Sequence, residues 1–414
     1  MTRGVLVLAV AATCCFGQDN KDEIIQKLIS RVEALEREVA ALKQAPATAP
    51  TPSTEQPLAV AAATDPPVAA AKLPAAAAAD VPESTQSDTS RFTLRGYADA
   101  GFLRNVGGDS VKRFSLGEVD LFATARISPK LTALLETVLE TDNQLHIGDV
   151  PINVERVILQ YRHNDYFNLD IGSYRTAIGF YSTAYLRGSW FQTALSRPRL
   201  FDFEDDRGFL PLHNVGVSAN GRIPSGALGL HYVVEVGSSR NYAQAERTGI
   251  DLEQNGAVNV AIFAQPSGVR GLQLGFSTYH DKFSPAPGVR FDRSVWTAHA
   301  VYHARRLELL NEGVLERGRN VTNAHISIAG FYAQAAYRIG SNWSPYVRFD
   351  YSNVYGKGDL VTGVQQYLPW RTISTGGIRY DLTESVAFKV ELGRETDRFQ
   401  PAWIRAAAQI AFTF

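Results

Sequence analysis

Residues 403–414 read Trp403-Ile404-Arg405-Ala406-Ala407-Ala408-Gln409-Ile410-Ala411-Phe412-Thr413-Phe414. Every second residue backward from Phe414 is apolar, and the other face carries Thr413, Gln409 and Arg405 among alanines. A period of two is that of a β-strand, whose side chains point alternately to opposite faces. Strands of a soluble sandwich can alternate in this way, but a strand between lipid and a wet lumen requires it. The stretch therefore predicts one strand of a membrane barrel.

Similar stretches recur from Phe92 onward and predict an all-β fold, a 16-stranded antiparallel transmembrane β-barrel over residues 91–414. Tight connections such as Ser128-Pro129-Lys130 follow the even-numbered strands, and most connections after odd-numbered strands are longer. With an even strand count, both ends of the barrel are expected on the periplasmic side. The predicted strands are 92–103, 113–128, 131–142, 153–163, 166–174, 212–222, 227–237, 256–265, 271–282, 291–304, 306–317, 324–338, 343–355, 371–381, 384–396 and 403–414.

Composition and the first residues restrict the class of protein. A net charge of −1 over 414 residues argues against a general nucleic-acid binder. No apolar run approaches the roughly 18 residues of a transmembrane helix, so a membrane protein must close as a barrel. Residues 1–17 are expected to be a signal peptide, with an apolar segment from Gly4 to Phe16 and cleavage after Gly17. Both cysteines, Cys14 and Cys15, lie inside it, and lipid attachment to one of them is the alternative.

Residues 19–44 have the pattern of a periplasmic coiled coil. Apolar residues alternate spacings of three and four, as the a and d positions of heptads do. β-branched residues at a with leucine at d are typical of dimers, whereas Arg31-Val32-Glu33-Ala34-Leu35-Glu36 resembles the pattern of short parallel trimers and favours a trimer. An isolated amphipathic helix is the third alternative, and at this length it would be marginal in water. The core positions are Ile25, Leu28, Val32, Leu35, Val39 and Leu42.

Residues 45–90 are predicted to be a Pro/Ala-rich linker. They contain Pro46, Pro50, Pro66 and Pro82 among other prolines, together with an alanine run. The segment has no apolar periodicity, so we expect an extended, semi-rigid tether and no domain of its own.

The third external connection, residues 175–211, is much the longest. Its mixture of large aromatic rings and charges is atypical of a solvent-exposed loop. Since the lumen of a 16-stranded barrel is open, we expect this loop to fold inward and narrow the pore. The alternative is an external loop packed against a neighbouring subunit. The candidate constriction residues are Arg175, Arg187, Arg197, Arg199, Asp202, Glu204, Asp205, Asp206 and Arg207.

Short motifs here resemble the phosphate-selective porin O and P family. Gly172-Ser173-Tyr174-Arg175-Thr176-Ala177-Ile178-Gly179 is similar to the family's Gly-x-x-Arg/Lys-x-Pro-Phe/Ile-Gly segment, with Ala177 in place of proline. Phe203-Glu204-Asp205-Asp206-Arg207-Gly208 and Asn214-Val215-Gly216-Val217 add to the likeness, and the coiled coil before the barrel resembles DcaP-like trimeric porins. The resemblance spans most of residues 92–414 and implies a trimeric outer-membrane diffusion channel. The family's lysine- and arginine-rich phosphate site has no residue-by-residue match here.

Arginine dominates the basic residues of the predicted barrel, where the lysines are confined to Lys112, Lys130, Lys282, Lys357 and Lys389. Arginine side chains favour anions such as carboxylate and phosphate, which suggests a weak anion preference. Acidic residues on the same face, such as Glu136 and Asp350, can pair with these arginines instead, and that alternative stays open. The candidate lumen-wall residues are Arg95, Asp99, Arg126, Arg156, Arg162, Arg348 and Arg405.

The sequence carries no enzyme signature of the serine-elbow, zinc-protease or phosphate-loop type. His299 and His303 share a strand face but are expected to be lumen wall, and neither a metal nor another cofactor is expected. We therefore predict an outer-membrane porin that conducts small hydrophilic solutes, assembles as a homotrimer in lipid, and carries its assembly signal for the barrel-assembly machinery at Phe414. The rival prediction is a plugged barrel that anchors the cell wall through the coiled coil.

Overall fold

The computed structural model describes residues 91–106, 112–140, 152–185, 189–202, 210–239, 256–286, 289–320, 325–357, 370–399 and 401–414. The predicted signal peptide, coiled coil and linker lie outside these residues. The sixteen strands are β1 (Phe92–Val106), β2 (Lys112–Ser128), β3 (Leu131–Glu140), β4 (Ile152–Asn164), β5 (Phe167–Arg175), β6 (His213–Ile223), β7 (Leu230–Ser239), β8 (Gly256–Ala264), β9 (Leu272–Ala286), β10 (Val289–His303), β11 (Leu307–Asn320), β12 (His325–Tyr337), β13 (Trp343–Lys357), β14 (Arg371–Asp381), β15 (Val386–Asp397) and β16 (Trp403–Thr413).

All sixteen strands join a single closed antiparallel barrel in which each strand pairs with its neighbours in sequence. The barrel closes where β1 pairs with β16, from Tyr97 opposite Thr413 to Val106 opposite Ile404. At one end of this seam, Gly96 and Phe414 exchange both backbone hydrogen bonds, at 2.8 and 2.9 Å. A side chain at Gly96 would collide with the Phe414 ring. The predicted count, order and antiparallel closure of the strands are confirmed.

The two faces of the wall follow the predicted alternation. In β8, Val258 and Ile262 are exposed on the outer face, whereas Asn259 between them is 1% exposed and points inward. The same parity places apolar side chains outward on β15 and β16, with Phe388, Leu392 and Ile404 exposed. Among the described residues, no helix is long and apolar enough to cross a membrane. The wall therefore presents an apolar outer face, and its polar side chains lie mainly on the inner face.

One end of the barrel, termed the turn end, carries the connections after the even-numbered strands. Asn164 caps the turn before β5, since its side-chain oxygen accepts the N–H groups of Tyr166 and Phe167 at 2.9 Å each. β7 begins later than predicted because Gly226–Leu228 forms a 3₁₀ helix that ends at Gly229, with φ +58°. This left-handed conformation favours glycine. Side-chain capping and glycine therefore keep these turns short.

Candidate functional site: the loop inside the barrel

We name the connection between β5 and β6, residues 176–212, the lumen loop. Its base is closed by a 2.9 Å hydrogen bond from the Thr176 N–H to the Leu212 carbonyl. Ile178 and Phe201 are fully buried, and the described loop residues contact inward side chains from β7 to β15 and from β1 and β2. The described part of the loop therefore lies inside the barrel. This is the placement expected if the loop narrows the lumen.

An apolar cluster joins the loop to β8–β12. Tyr181, in the single helical turn α1 (Tyr181–Ala184), packs edge-on against Tyr332 at a centroid distance of 5.7 Å. Leu200 lies over Gly330, where an added Cβ would sit 2.7 Å from a Leu200 methyl. This inward glycine therefore leaves the space that Leu200 occupies. The cluster comprises Ile178, Phe180, Tyr181, Tyr185, Leu200, Phe201, Leu210, Leu212, Ala257, Tyr279, Val295, Val301, Leu310, Val314 and Tyr332.

Two buried carboxylates hold the beginning of the loop by its N–H groups. Glu312 of β11 accepts hydrogen bonds from the N–H groups of Phe180 at 3.0 Å and Tyr181 at 3.1 Å. Glu235 of β7 accepts the Ala177 N–H at 3.0 Å and is also bonded by Asn259. A loop inside a barrel has no sheet partner, and its buried N–H groups need acceptors. The wall supplies these acceptors with its own acidic side chains.

Three cations hold the middle of the loop by its carbonyl groups. Lys389 of β15 donates to the carbonyl oxygens of Ser189 and Ala194. Arg379 of β14 donates to Trp190 O at 2.6 Å and to Gln192 O at 3.0 Å. Arg348 of β13 donates to Ser196 O at 2.5 Å and Arg197 O at 3.1 Å. Three basic side chains of β13–β15 therefore bind the backbone of the loop.

Acidic residues complete the contact on this side. Glu391 of β15 accepts the Ser196 N–H at 3.1 Å, the Ser196 hydroxyl at 2.6 Å and the Tyr346 hydroxyl at 2.9 Å. Asp350 accepts the Arg199 N–H at 3.2 Å. The middle of the loop also reaches β1, where Phe191 packs on Tyr97 at 4.5 Å between ring centroids. The loop therefore extends from β5 to β13–β15 on the opposite wall, and on to β1 beside the seam of the barrel.

The candidate constriction residues fall into three environments. Arg175 ends β5, is buried and pairs with Glu136 at 2.8 Å. Arg197 donates to the carbonyl oxygens of Phe201 at 3.0 Å and Tyr185 at 3.3 Å, so it fastens the loop to itself. Arg199 and Asp202 pair with each other and remain partly exposed. The other five candidates, Arg187, Glu204, Asp205, Asp206 and Arg207, lie outside the described residues.

Most of the candidate lumen-wall residues are paired. Ion pairs join Arg156 to Glu136, Arg162 to Asp170 at 2.6 Å, Arg348 to Asp350 at 2.8 Å and Arg405 to Glu391 at 2.7 Å. Asp99 accepts a 2.8 Å hydrogen bond from Gln409. Among the described residues, no ion pair joins Arg95 or Arg126 to an acid, and Arg126 is exposed. The paired arginines match the alternative in which they stabilise the wall.

The two inward histidines flank an aromatic ring. Phe180 lies between His299 and His303, at centroid distances of 5.7 and 6.1 Å. Gln273 contacts His299 Nε2 at 3.2 Å, and Glu308 lies 3.5 Å from His303 Nε2. Within the described ranges, no group of three or more potential ligands could hold a metal ion. Both histidines lie in the wall behind the loop.

Burial also affects the ionisable groups of the loop. It raises the pKa of the Tyr181 and Tyr185 hydroxyls above their ordinary value, because the tyrosinate form would lose its hydration. Tyr181 donates a hydrogen bond to Gln192, which links the first part of the loop to the middle part. Both hydroxyls are therefore neutral at physiological pH.

Sequence reasoning missed Glu235, Glu312, Arg379, Lys389 and Glu391 as residues that hold the loop. Each has the inward parity of its strand, and four of them are almost fully buried. The available signal was a charge among apolar residues, as in Val386-Ala387-Phe388-Lys389-Val390-Glu391. Parity alone indicates the inner face, but it does not give the depth at which the loop passes.

Known protein structures share this fold at low sequence identity. An anion-selective porin from Comamonas acidovorans matches with a TM-score of 0.56 and 13% identity over 78% of this chain and 99% of its own. The outer-membrane channel DcaP of Acinetobacter baumannii matches at 0.54 and 8% identity over 78% and 97%. OmpF of Salmonella typhi, in complex with daunomycin, matches at 0.51 and 14% identity over 78% and 97%. No protein-family model and no curated protein sequence matches the chain.

Proposed function

We propose that the protein is an outer-membrane porin, a water-filled diffusion channel for small hydrophilic solutes that is narrowed by the lumen loop. The observation that carries this proposal is a closed barrel with an apolar outer face, whose inner side chains hold a long loop across the lumen. Only a closed barrel or a helix satisfies its backbone within lipid. The fold shared with three porins or channels supports the assignment.

The candidate constriction residues retain this role as part of the proposal. Arg197, Arg199 and Asp202 are the described members that remain partly exposed, and Arg199 and Asp202 form an ion pair. Arg175 and Arg197 are placed to hold the loop, so their contribution to the constriction is indirect. Side chains that fix the loop would therefore set the width of the pore, and a few partly exposed charges would line it.

A weak anion preference is the finer part of the proposal. The resemblance to the phosphate-selective porin O and P family supports it, as does the fold shared with an anion-selective porin. The ion pairs of Arg156, Arg162, Arg348 and Arg405 weigh against a ladder of free arginines. Selectivity would then depend on Arg95 and Arg126, which lie on the wall of β1 and β2.

Assembly is proposed from the sequence and from one comparison. The heptads of residues 19–44 favour a homotrimer with its coiled coil in the periplasm, and residues 45–90 would join it to the barrel. OmpT of Vibrio cholerae, described in a trimer form, shares the fold with a TM-score of 0.51, 10% identity, and coverage of 78% of this chain and 100% of its own. The Phe414 contact with Gly96 is compatible with a terminal assembly signal for the barrel-assembly machinery.

Conductance in a planar lipid bilayer tests the channel directly. We expect refolded protein to give stepwise openings in groups of three. Under a salt gradient, the reversal potential should have the sign of an anion-selective pore. A reversal potential near zero would contradict the anion preference alone. Silent bilayers that contain folded trimers would contradict the porin.

The second candidate function is a plugged barrel that anchors the cell wall through the linker and the coiled coil. The observation that favours it is the apolar cluster, because a dry core between the loop and β8–β12 fills that side of the lumen. Cell-wall sedimentation with the full-length chain and with a chain that lacks residues 19–44 measures anchoring. Loss of sedimentation on deletion, without any conductance in either chain, would establish the anchor over the porin.

A further inference from the structure

Three neighbouring connections at the turn end form one continuous surface, which we name the basic turn patch. They are residues 265–271, 304–306 and 338–342. The first two are joined by a hydrogen bond from His303 N–H to Gly271 O at 2.8 Å, and the second and third by one from Arg338 N–H to Arg306 O at 2.7 Å. Backbone contacts therefore hold the three turns next to one another.

The basic turn patch has a single sign of charge. Arg270, Arg305 and Arg306 are exposed, and none of the three described turns contains an acidic residue. Arg338 pairs with Asp381 of β14 at 3.1 Å. On the other side of the turn end, Arg222 lies 3.8 Å from Asp165, so cation and acid occur together there. The three described turns below β8–β13 thus carry an excess of positive charge.

Apolar side chains are interspersed with these arginines. Val269 precedes Arg270 and is 48% exposed, and Ile339 follows Arg338 and is 55% exposed. Above them on the outer wall, Tyr337 and Trp343 are exposed, and the Trp343 ring packs at a tilt on Tyr380 at a centroid distance of 4.4 Å. Aromatic residues at the edge of an apolar wall are typical of the lipid headgroup level. The arginines therefore lie just beyond the hydrocarbon edge.

We propose that the basic turn patch binds the phosphate headgroups of anionic phospholipids in the leaflet at the turn end. The guanidinium fork suits a phosphate, and Val269 and Ile339 can enter the acyl region beside it. A dissolved anion gains nothing from contact with exposed apolar side chains, whereas the acyl chains of a lipid can cover Val269 and Ile339. The patch therefore fits a lipid better than a soluble anion. The inference rests on the barrel spanning a bilayer, and it does not depend on whether the lumen conducts.

Native mass spectrometry of the folded full-length protein in detergent tests this site. The probes are phosphatidylglycerol and zwitterionic phosphatidylethanolamine with the same acyl chains. The test variant is R270Q/R305Q/R306Q, and the matched control is R113Q/R317Q/R319Q, which removes three exposed arginines from the opposite end. We expect wild type and control to retain phosphatidylglycerol over phosphatidylethanolamine. Retention by the test variant should fall by about fivefold for each arginine removed.

Competition separates the sources of phosphate. Inorganic phosphate at equal concentration should not displace the lipid, and displacement would show a free-anion site and overturn the proposal. Preferential retention of a soluble polyanion such as heparin would overturn it in favour of an anionic polymer. Equal loss in test and control variants would also contradict it. Bilayer conductance of the same samples tests the channel separately. A protein that conducts but shows no lipid preference would contradict the lipid site and leave the channel function intact.

Discussion

The first and middle stretches of the lumen loop are held in different ways. In residues 177–185, carboxylates of Glu235 and Glu312 accept N–H groups, and large rings enter the apolar cluster. In residues 189–199, Lys389, Arg379 and Arg348 donate to carbonyl oxygens, and apolar contact is confined to a few residues. The first stretch is thus stabilised mainly by burial, and the middle stretch mainly by hydrogen bonds from charged groups.

The difference shows how a barrel can accommodate an irregular chain in its interior. Buried backbone groups must find partners, and the wall offers acids where the loop presents N–H groups and bases where it presents carbonyls. Charges on an inner wall are commonly interpreted as selectivity determinants. Here many of them are structural. Of the four experiments that follow, the first three distinguish the two stretches, and the fourth compares a paired with an unpaired arginine of the wall.

The largest effect is expected from the apolar stretch. Phe201→Ala removes a fully buried ring that packs on Tyr181 of this stretch, and it should lower the free energy of unfolding by about 3–5 kcal/mol. The loosened loop should also raise single-channel conductance. Phe349→Ala, on the outer face, is the control for ring loss, and its conductance should stay at the wild-type value. An unchanged conductance in both variants would show that the cluster does not limit the pore.

A smaller effect is expected from the charged stretch. Lys389→Met keeps the side-chain length but leaves the Ser189 and Ala194 carbonyls without this donor, at a cost of about 1–3 kcal/mol for each carbonyl left unsatisfied. We expect noisier channels, because the middle stretch loosens while the first stretch stays packed. Lys282→Met, at an exposed position, is the control. Quiet wild-type-like recordings from Lys389→Met would argue that the two stretches move as one.

Alkaline pH should act on the first stretch. Burial raises the pKa of Tyr181 and Tyr185 in the folded protein, so this stabilisation is complete below about pH 10, the ordinary tyrosine value, and declines above it as the unfolded chain releases its protons. Unfolding midpoints measured between neutral pH and pH 11 should therefore fall less in Tyr181→Phe/Tyr185→Phe than in wild type. If the unfolding midpoints of both proteins fall equally with pH, other groups cause the loss of stability at alkaline pH.

The smallest effect is expected at Arg405 on the wall, because its buried partner Glu391 keeps its hydrogen bonds from Ser196 and Tyr346. The Arg405 side chain is 28% exposed and pairs with Glu391, so Arg405→Gln should cost at most about 1 kcal/mol after solvent screening. The reversal potential should barely move, because the charge is already compensated. Arg126 is exposed and has no ion pair among the described residues, so Arg126→Gln should shift the reversal potential further towards that of a cation-selective pore. A larger shift of the reversal potential in Arg405→Gln than in Arg126→Gln would indicate that the paired arginines determine selectivity.

Periodicity was sufficient to predict the barrel, because a strand between lipid and water shows its two faces in sequence. Residues 166–174 and 306–317, with weak alternation, correspond to β5 and β11 in the structure. The inward loop was predicted from its length and its rings. The residues that hold it could not be predicted, because Glu312 and Phe180 meet only through the path of the loop. Predictions for Arg187, Glu204, Asp205, Asp206, Arg207 and residues 1–90 remain predictions.

The seam between β1 and β16 has a consequence for biogenesis. Because Gly96 bonds to Phe414, the sheet cannot close into a barrel until β16 and Phe414 are available to pair with β1. Until then, two long edges with unpaired backbone groups are open to any other strand. The two strands lie far apart in sequence, so spontaneous closure of the barrel is also expected to be slow. We therefore expect the unclosed sheet to be prone to aggregation, and truncation of a few residues in β16 should increase aggregation before the barrel closes.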